Sequence, residues 1–124
     1  MLLAEAFDRS RVTALRHAVT SAAARAGLDG DRLDDFVLAV NELLTNAVRH
    51  GGGAGRVELW RSGTAVVCEV SDHGGGLDAA DRRRRPALDE PGGWGLLLAR
   101  ELTDELAIKS GEDGTAVRIA SRLF

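Results

Sequence analysis

The sequence predicts an α+β fold, built as a two-layer sandwich of helices on a sheet. Segments with the alternating or β-branched composition of strands come in adjacent pairs, which is typical of antiparallel hairpins. Segments with apolar residues at helical spacing are grouped between these pairs. Because strands and helices do not alternate strictly along the chain, two segregated layers are favoured over a doubly wound parallel sheet.

Length and composition predict one domain over residues 1–124. The net charge of −3 gives no reason to expect general affinity for nucleic acid or an anionic membrane. No apolar run approaches the roughly 18 to 20 residues of a membrane span, and the opening "MLLAEAFDRSR" lacks the basic region of a signal peptide. We therefore expect a cytoplasmic protein. Cys68, the only cysteine, is expected to be a small buried hydrophobe.

The first half of the chain predicts one strand and two helices. Leu2–Phe7 has the length of a short strand, although its Ala and Glu residues weaken that prediction. Apolar residues recur at helical spacing over Arg9–Ala26. A second amphipathic helix opens at Asp29 or Asp31 and continues to about residue 50, with one continuous apolar stripe.

The second half predicts a hairpin, a long loop, a helix and a second hairpin. Arg56–Arg61 alternates and Thr64–Val70 is β-branched, with Ser62-Gly63 as the turn between them. Residues 77–92 hold both prolines and no apolar period, so we predict a long functional loop there. Helical spacing then runs over Trp94–Leu106, and the final strands are predicted over Ala107–Ser110 and Thr115–Ala120.

The most informative helix positions are Glu42 and Asn46, within "VNELLTNAVRH". Residues four apart lie on the same side of a helix, and Asn is a poor residue for a helix interior. A carboxylate can accept a proton from an attacking group, and an amide oxygen is a suitable ligand for Mg²⁺. The alternative is a solvated Glu beside a tolerated surface Asn, which the pair taken alone favours by about two to one.

Three further motifs follow in order along the chain. Asp72 ends a strand and precedes Gly74 and Gly76, so a carboxylate would stand beside backbone that a planar ring can approach; a glycine-rich turn with a capping Asp is the alternative. "GGWG", residues 92–95, leads into a helix whose free N–H groups would suit phosphate, unless it is only a hinge. "GT", residues 114–115, turns the chain into the last strand.

Taken together and in this order, the motifs resemble the N, G1, G2 and G3 boxes of the GHKL ATPase superfamily. "NELLTNAVRHG", "DHGGGL", "GGWGLLLARELTDEL" and "GTAVRI" look most like its short bacterial branch, the anti-sigma-factor serine kinases. The resemblance covers essentially the whole chain. It implies the Bergerat ATP-binding fold, with a mixed, mostly antiparallel sheet and three helices on one face.

The resemblance implies ATP and Mg²⁺ as cofactors and gives the motif residues roles. Glu42 would be the general base, and Asn46 would coordinate Mg²⁺ at the ATP phosphates. Asp72 would accept a hydrogen bond from the adenine amino group. The other implied nucleotide contacts come from Gly74, Gly76, Gly93, Gly95, Leu96 and Thr115.

The loop and the end of the second helix have secondary implied roles. Residues 77–92 would form the ATP lid. Arg82–Arg85, within it, would be either a solvated charge run or a contact for phosphate or an acidic partner. Arg49 and His50 follow the first motif at positions often near the phosphates, with a lower rank than the residues above.

The resemblance implies an anti-sigma regulator with serine/threonine kinase activity. It would phosphorylate an anti-anti-sigma (STAS-type) protein and bind a sigma factor, with no direct contact to nucleic acid or membrane and with homodimerisation left open. The alternative is a nucleotide-dependent binding module without catalysis, suggested by Trp94 between two motif glycines and by the short lid. A detached catalytic part of a histidine kinase carries less weight, because no segment resembles its phosphoacceptor helix pair.

Overall fold

A computed structural model describes residues 1–73, 94–112 and 114–124. The predicted loop 77–92 with its Arg82–Arg85, and the motif glycines Gly74, Gly76 and Gly93, lie outside the described residues. In chain order the described strands and helices are β1 (Leu3–Asp8), α1 (Val12–Ala26), α2 (Gly30–His50), β2 (Ala54–Ser62), β3 (Ala65–Asp72), α3 (Trp94–Leu102), β4 (Glu105–Gly111) and β5 (Gly114–Arg122).

The strands form one sheet in the order β1-β2-β3-β5-β4. All four of these neighbouring pairs are antiparallel. The α+β class and the mainly antiparallel sheet are therefore confirmed. Because β3 pairs with β5 and not with β4, the hairpin of β4 and β5 places the end of β3 beside the start of the last strand.

The helices pack on one face of the sheet. Leu59, Cys68 and Ile119 are cross-strand neighbours on β2, β3 and β5, and all three are fully buried. Successive side chains of a strand point to opposite faces, so Trp60 and Arg118 lie on the other face. The buried residues that the helices contribute to this core are Leu15, Val19, Ala22, Ala23 and Ala26 from α1, Phe36, Ala39, Val40, Leu43, Leu44 and Ala47 from α2, and Ala99 from α3.

Helix α2 is fixed at both ends and along its apolar side. Asp29 occupies the N-cap position with an extended backbone, and its carbonyl accepts a hydrogen bond from the Leu33 N–H at 3.1 Å. At the other end the Gly51 N–H donates to the Ala47 carbonyl at 2.8 Å. The predicted apolar stripe is confirmed, because Phe36 and its periodic neighbours are buried against the sheet.

Helix α3 is shorter than predicted and ends at Leu102 instead of Leu106. The Asp104 N–H donates to the Ala120 carbonyl at 3.0 Å, and the Asp104 carboxylate accepts from the Arg122 N–H at 2.7 Å. These bonds draw the chain into the sheet and end the helix. Leu106 has helical spacing in the sequence, yet it packs on the core from β4, opposite Ile119.

The first hairpin is confirmed with its turn one residue later than predicted. Ser62 pairs with Ala65, so the two turn residues are Gly63 and Thr64 instead of Ser62 and Gly63. Gly63 has φ of +59°, which suits the first position of a tight hairpin turn. β2 begins earlier than predicted because Ala54 pairs with Asp8 of β1, and β3 continues to Asp72 because that residue pairs with Thr115 of β5.

Cys68 is a free thiol with no exposed surface. Its burial raises the pKa of the thiol, so the thiol stays protonated and the residue serves as core packing, as predicted.

Among the described helices, none has the combination of length and apolar character that crossing a membrane needs.

Candidate functional site

Glu42 and Asn46 lie together on the flank of α2, and both are half-buried. Leu43 and Ala47, which follow each of them by one residue, point into the core and are buried. The orientation of the pair is thus set by the apolar side of the same helix, because the core contacts prevent α2 from rotating about its axis. This flank faces the beginning of α3.

Gly95 is the point where α3 meets the pair. A Cβ atom built on Gly95 would lie 2.7 Å from Glu42 Oε2 and 3.8 Å from Asn46 Oδ1. A side chain at position 95 would therefore occupy the space in front of both polar groups. The structure brings together three residues from two motifs that are far apart in the sequence.

Helix α3 is held in this place from its other end. Ala99 is fully buried, and Leu96 packs against the core. Beyond the helix, Arg32 Nη1 from α2 donates to Asp104 Oδ2 at 3.4 Å. The Leu96 side chain packs against the core, and its backbone lies in the first turn of α3. Its contact with a nucleotide stays a prediction.

Asp72 lies at the end of β3 and is half-buried. It pairs across the sheet with Thr115, the second residue of β5. A Cβ built on Gly51, at the end of α2, would lie 2.6 Å from Asp72 Oδ2, and one built on Gly114 would overlap the Asp72 carbonyl oxygen. Gly51 and Gly114 are far apart in the sequence, and Asp72 fits between them because neither carries a side chain.

Sequence reasoning identified Asp72 and Thr115 but gave Gly51 only the role of ending a helix. The triplet "GGG", residues 51–53, signals a close approach of backbone, and nothing in it names Asp72 as the group that approaches. Arg49 and His50, ranked lower, are exposed at the C-terminal end of α2.

Asn46 and Glu42 present oxygen donors of the kind Mg²⁺ prefers. Among the described residues, no cluster of three or more His, Cys, Asp or Glu side chains could hold a metal by itself. Mg²⁺ usually keeps only one or two protein ligands and completes its shell with phosphate oxygens and water. The donor set therefore fits a nucleotide-bound Mg²⁺ better than a metal held by protein alone.

A separate cavity of about 720 Å³ lies at the edge of the sheet near the start of β4, and Arg100 and Glu101 of α3 also line it. None of the predicted site residues lines it. Trp60, Val67 and Ala120 form part of its lining. The Arg118 guanidinium lies 5.1 Å from the centroid of the Trp60 ring and also pairs with Glu69 at 3.0 Å. This cavity is distinct from the site around Glu42.

Residues 6–121 match the family model of the histidine kinase-like ATPase domain. The chain belongs to this family. The predicted GHKL resemblance is thus confirmed for the fold and the superfamily.

The chain is also similar to individual proteins and solved structures. The chain is 30% identical over 118 residues to an anti-sigma F factor of Anoxybacillus flavithermus, covering 85% of this chain and 81% of that protein. It is also similar to the crystal structure of the RsbU and RsbW domains of Rv1364c from Mycobacterium tuberculosis, with a TM-score of 0.73 and 25% identity. That alignment covers 97% of this chain and 31% of the larger one.

A more distant structural neighbour is the histidine kinase domain of the blue-light activated histidine kinase from Erythrobacter litoralis. Its TM-score is 0.55 at 24% identity, with 92% of this chain and 60% of that chain covered. This likeness concerns the fold alone.

Proposed function

We propose that this chain binds ATP with Mg²⁺ and transfers the γ-phosphoryl group to a serine or threonine of an anti-anti-sigma (STAS-type) protein. We further propose that it binds a sigma factor, as an anti-sigma regulator. The observation that carries the catalytic part is the meeting of Glu42, Asn46 and Gly95 at one point. The similarity to anti-sigma F factors supports the partner class.

In this proposal the two ends of the site hold different parts of the nucleotide. Asp72 accepts a hydrogen bond from the adenine amino group, with Thr115 beside it in the sheet. Gly95 and the Leu96 backbone, at the N-terminus of α3, face the phosphates. Asn46 supplies an oxygen ligand to Mg²⁺, which neutralises phosphate charge when bound. Gly74, Gly76 and Gly93 complete the proposed set from sequence.

Glu42 is the proposed general base. The acceptor hydroxyl oxygen forms a bond to the γ-phosphorus while the bond from that phosphorus to the β,γ-bridging oxygen breaks, and ADP leaves. The hydroxyl proton passes to the Glu42 carboxylate. A positioned base of this kind contributes about 10²- to 10⁴-fold to a rate.

The test is transfer of label from γ-labelled ATP to a purified STAS protein in the presence of Mg²⁺. We expect Glu42→Gln to lower the transfer rate by about 10²- to 10⁴-fold while ATP still binds, and Asn46→Ala to weaken Mg²⁺-dependent ATP binding. Glu58→Gln is a matched control, because Glu58 is also half-buried but stands on the outer face of the sheet. The control should transfer label at the wild-type rate.

Two results would contradict the kinase proposal. Tight ATP binding without transfer to any STAS protein would identify a nucleotide-dependent binding module instead. Undiminished transfer by Glu42→Gln would remove Glu42 from the mechanism.

The proposed partners also place the protein in the cytoplasm, where ATP and sigma factors are found. Cell fractionation with an antibody against the chain tests this, and recovery in the membrane fraction would contradict it.

A further inference from the structure

Two exposed leucines stand beside Glu42. Leu38 on α2 is 45% exposed and Leu98 on α3 is 39% exposed. Leu38 precedes Glu42 by four residues, so it lies one turn away on the same side of the helix. Leu98 follows Gly95 by three residues and is likewise within one turn of the contact between Gly95 and Glu42.

Along the helix axes, Leu38 and Leu98 lie on the same side of the Glu42–Gly95 contact, because the two helices run in opposite directions. Helix α3 starts beside Glu42 and its chain then reaches Arg32, near the beginning of α2, through the bond from Arg32 to Asp104. The helices are therefore antiparallel. At about 1.5 Å of rise per residue, Leu38 lies about 6 Å and Leu98 about 4.5 Å along the helix axes from the Glu42–Gly95 contact, both towards the start of α2.

The charges near the two leucines are mainly negative. Asp31, Asp34 and Glu101 are exposed, and Asp35 is half-buried. None of these four carboxylates forms an ion pair with another described residue. The Arg32 guanidinium is engaged by Asp104 and by the Arg122 carbonyl.

The exposed arginine of α3 lies on a different side of that helix. Arg100 follows Leu98 by two residues, which places it about 200° around the helix. We call Leu38, Leu98 and the carboxylates Asp31, Asp34, Asp35 and Glu101 the Leu38–Leu98 surface.

We propose that the Leu38–Leu98 surface receives the phosphoacceptor protein. This inference rests on the proposed kinase function and names how its substrate is recognised. A protein that brings a hydroxyl to Glu42 must cover the surface within a few ångströms of it, and there it meets two leucines bordered by unpaired carboxylates. The complementary acceptor carries an apolar side chain close to the acceptor hydroxyl, with basic residues around it.

The cavity beside Trp60 lies at the edge of the sheet and shares Glu101 with the Leu38–Leu98 surface. Neither Leu38 nor Leu98 lines it, so it does not supply the apolar contact of that surface.

The experiment measures KM and kcat for a STAS protein that accepts phosphate from the wild-type chain. Leu38→Glu and Leu98→Glu each place a negative charge where an apolar contact is proposed, and we expect each to raise KM about tenfold or more. ATP affinity and kcat at saturating acceptor should change by less than about twofold, since neither leucine belongs to the nucleotide site. Ile108→Glu is the matched control, because Ile108 is 44% exposed but lies on β4.

Two further variants separate charge and folding effects. Asp34→Lys should raise KM and reduce its dependence on salt, because screened charge pairs are lost. Leu38→Gln removes the proposed apolar contact without adding a charge, and it should also raise KM. A urea denaturation curve is recorded for each variant, and a midpoint equal to that of the wild type shows that the fold is retained.

The outcomes are distinct. Absence of transfer by the wild type removes the proposed function, and this inference with it. Transfer with unchanged KM in both leucine variants overturns the docking surface alone. A dimeric wild type that becomes monomeric in Leu38→Glu, measured by light scattering, assigns the surface to a second copy and also overturns it.

Discussion

The two carboxylates of the candidate site, Glu42 and Asp72, are surrounded in different ways. Glu42 is faced by Gly95, and the nearest atom is the tip of the Glu42 side chain. Asp72 is faced by Gly51 against its side chain and by Gly114 against its backbone. The Glu42 end is therefore fixed by packing between two helices, whereas the Asp72 end is fixed by main chain within the sheet.

The two kinds of surroundings predict different consequences of substitution: loss of stability near the Asp72 backbone, and loss of activity near the Glu42 side chain. A flexible side-chain tip can move aside when a methyl group is added nearby, but paired backbone cannot move without loss of sheet hydrogen bonds. Substitutions at the three glycines should consequently affect different properties of the protein.

The largest effect is expected from Gly114→Ala, at the Asp72 end. Gly114 has φ of +127°, and an added Cβ would overlap the Asp72 carbonyl and lie 2.7 Å from the His73 Cα. Backbone strain of about 1–3 kcal/mol and overpacking of about 1–3 kcal/mol should together lower the free energy of unfolding by about 3 kcal/mol. Urea denaturation measures this.

Gly111→Ala provides the control for Gly114→Ala. Gly111 is the cross-strand partner of Gly114, and a Cβ there would meet nothing within 4 Å. Equal unfolding midpoints for the two variants would show that backbone does not fix the Asp72 end.

Gly95→Ala should affect catalysis more than stability. The added methyl group would displace Glu42 Oε2, and a displacement of about 1 Å can reduce a rate about 100-fold. The free energy of unfolding should change by less than about 1 kcal/mol, since only a side-chain tip must move. Single-turnover phosphotransfer and urea denaturation of the same preparation measure both quantities. A large loss of stability with a normal rate of phosphotransfer would show that Gly95 serves the fold and not the position of Glu42.

Gly51→Ala should weaken nucleotide binding by a smaller factor. Gly51 has φ of −107°, which alanine adopts readily, but the added Cβ would overlap the Asp72 Cγ and lie 2.5 Å from the Asp72 Cβ, so the Asp72 side chain must shift. If Asp72 makes the proposed contact with the adenine amino group, its displacement should raise the Kd for ATP about tenfold, or about 1.4 kcal/mol. A titration with a fluorescent ATP analogue measures it. An unchanged Kd would exclude Asp72 from the adenine contact.

The smallest effect is expected outside both ends, at the turn between β1 and α1. Hydrogen bonds from the Ser10 hydroxyl and from the Ser10 N–H at 2.9 Å hold the pKa of Asp8 below its ordinary 3.8. Because the folded-state pKa is the lower one, the stabilisation is present above the unfolded pKa and is lost as pH falls through the folded pKa. The thermal midpoint should fall less in Ser10→Ala than in wild type between about pH 6 and about pH 3. Equal pH dependence of the thermal midpoint in wild type and Ser10→Ala would show that the Ser10 hydroxyl does not lower the pKa of Asp8.

Local patterns predicted much of this architecture. Helix α2 was predicted nearly to its ends because its apolar residues keep one period over the whole helix. The same rule failed at Leu106, where helical spacing continues into a strand. There the bonds from Asp104 to β5 end α3, and a partner so far along the chain leaves no trace in the local pattern.

In the candidate site, too, local features could be predicted from the sequence and contacts between distant segments could not. The spacing of Glu42 and Asn46 and the position of Asp72 at a strand end could be read directly, because each depends on a few adjacent residues. The contacts of Gly51 and Gly114 with Asp72 could not, since they join α2, β3 and β5.

The sequence by itself determined the fold class, the family motifs in their order and the residues that carry them. Periodicity, turn residues and helix spacing act over a few residues, so they can be read in one dimension. Only the tertiary structure decided that Gly95 stands against Glu42, that Gly51 makes room for Asp72, and that Leu38 and Leu98 remain exposed beside them. Those relations arise when α3 packs antiparallel to α2 and β5 inserts between β3 and β4, and packing between distant segments is a property of the folded chain.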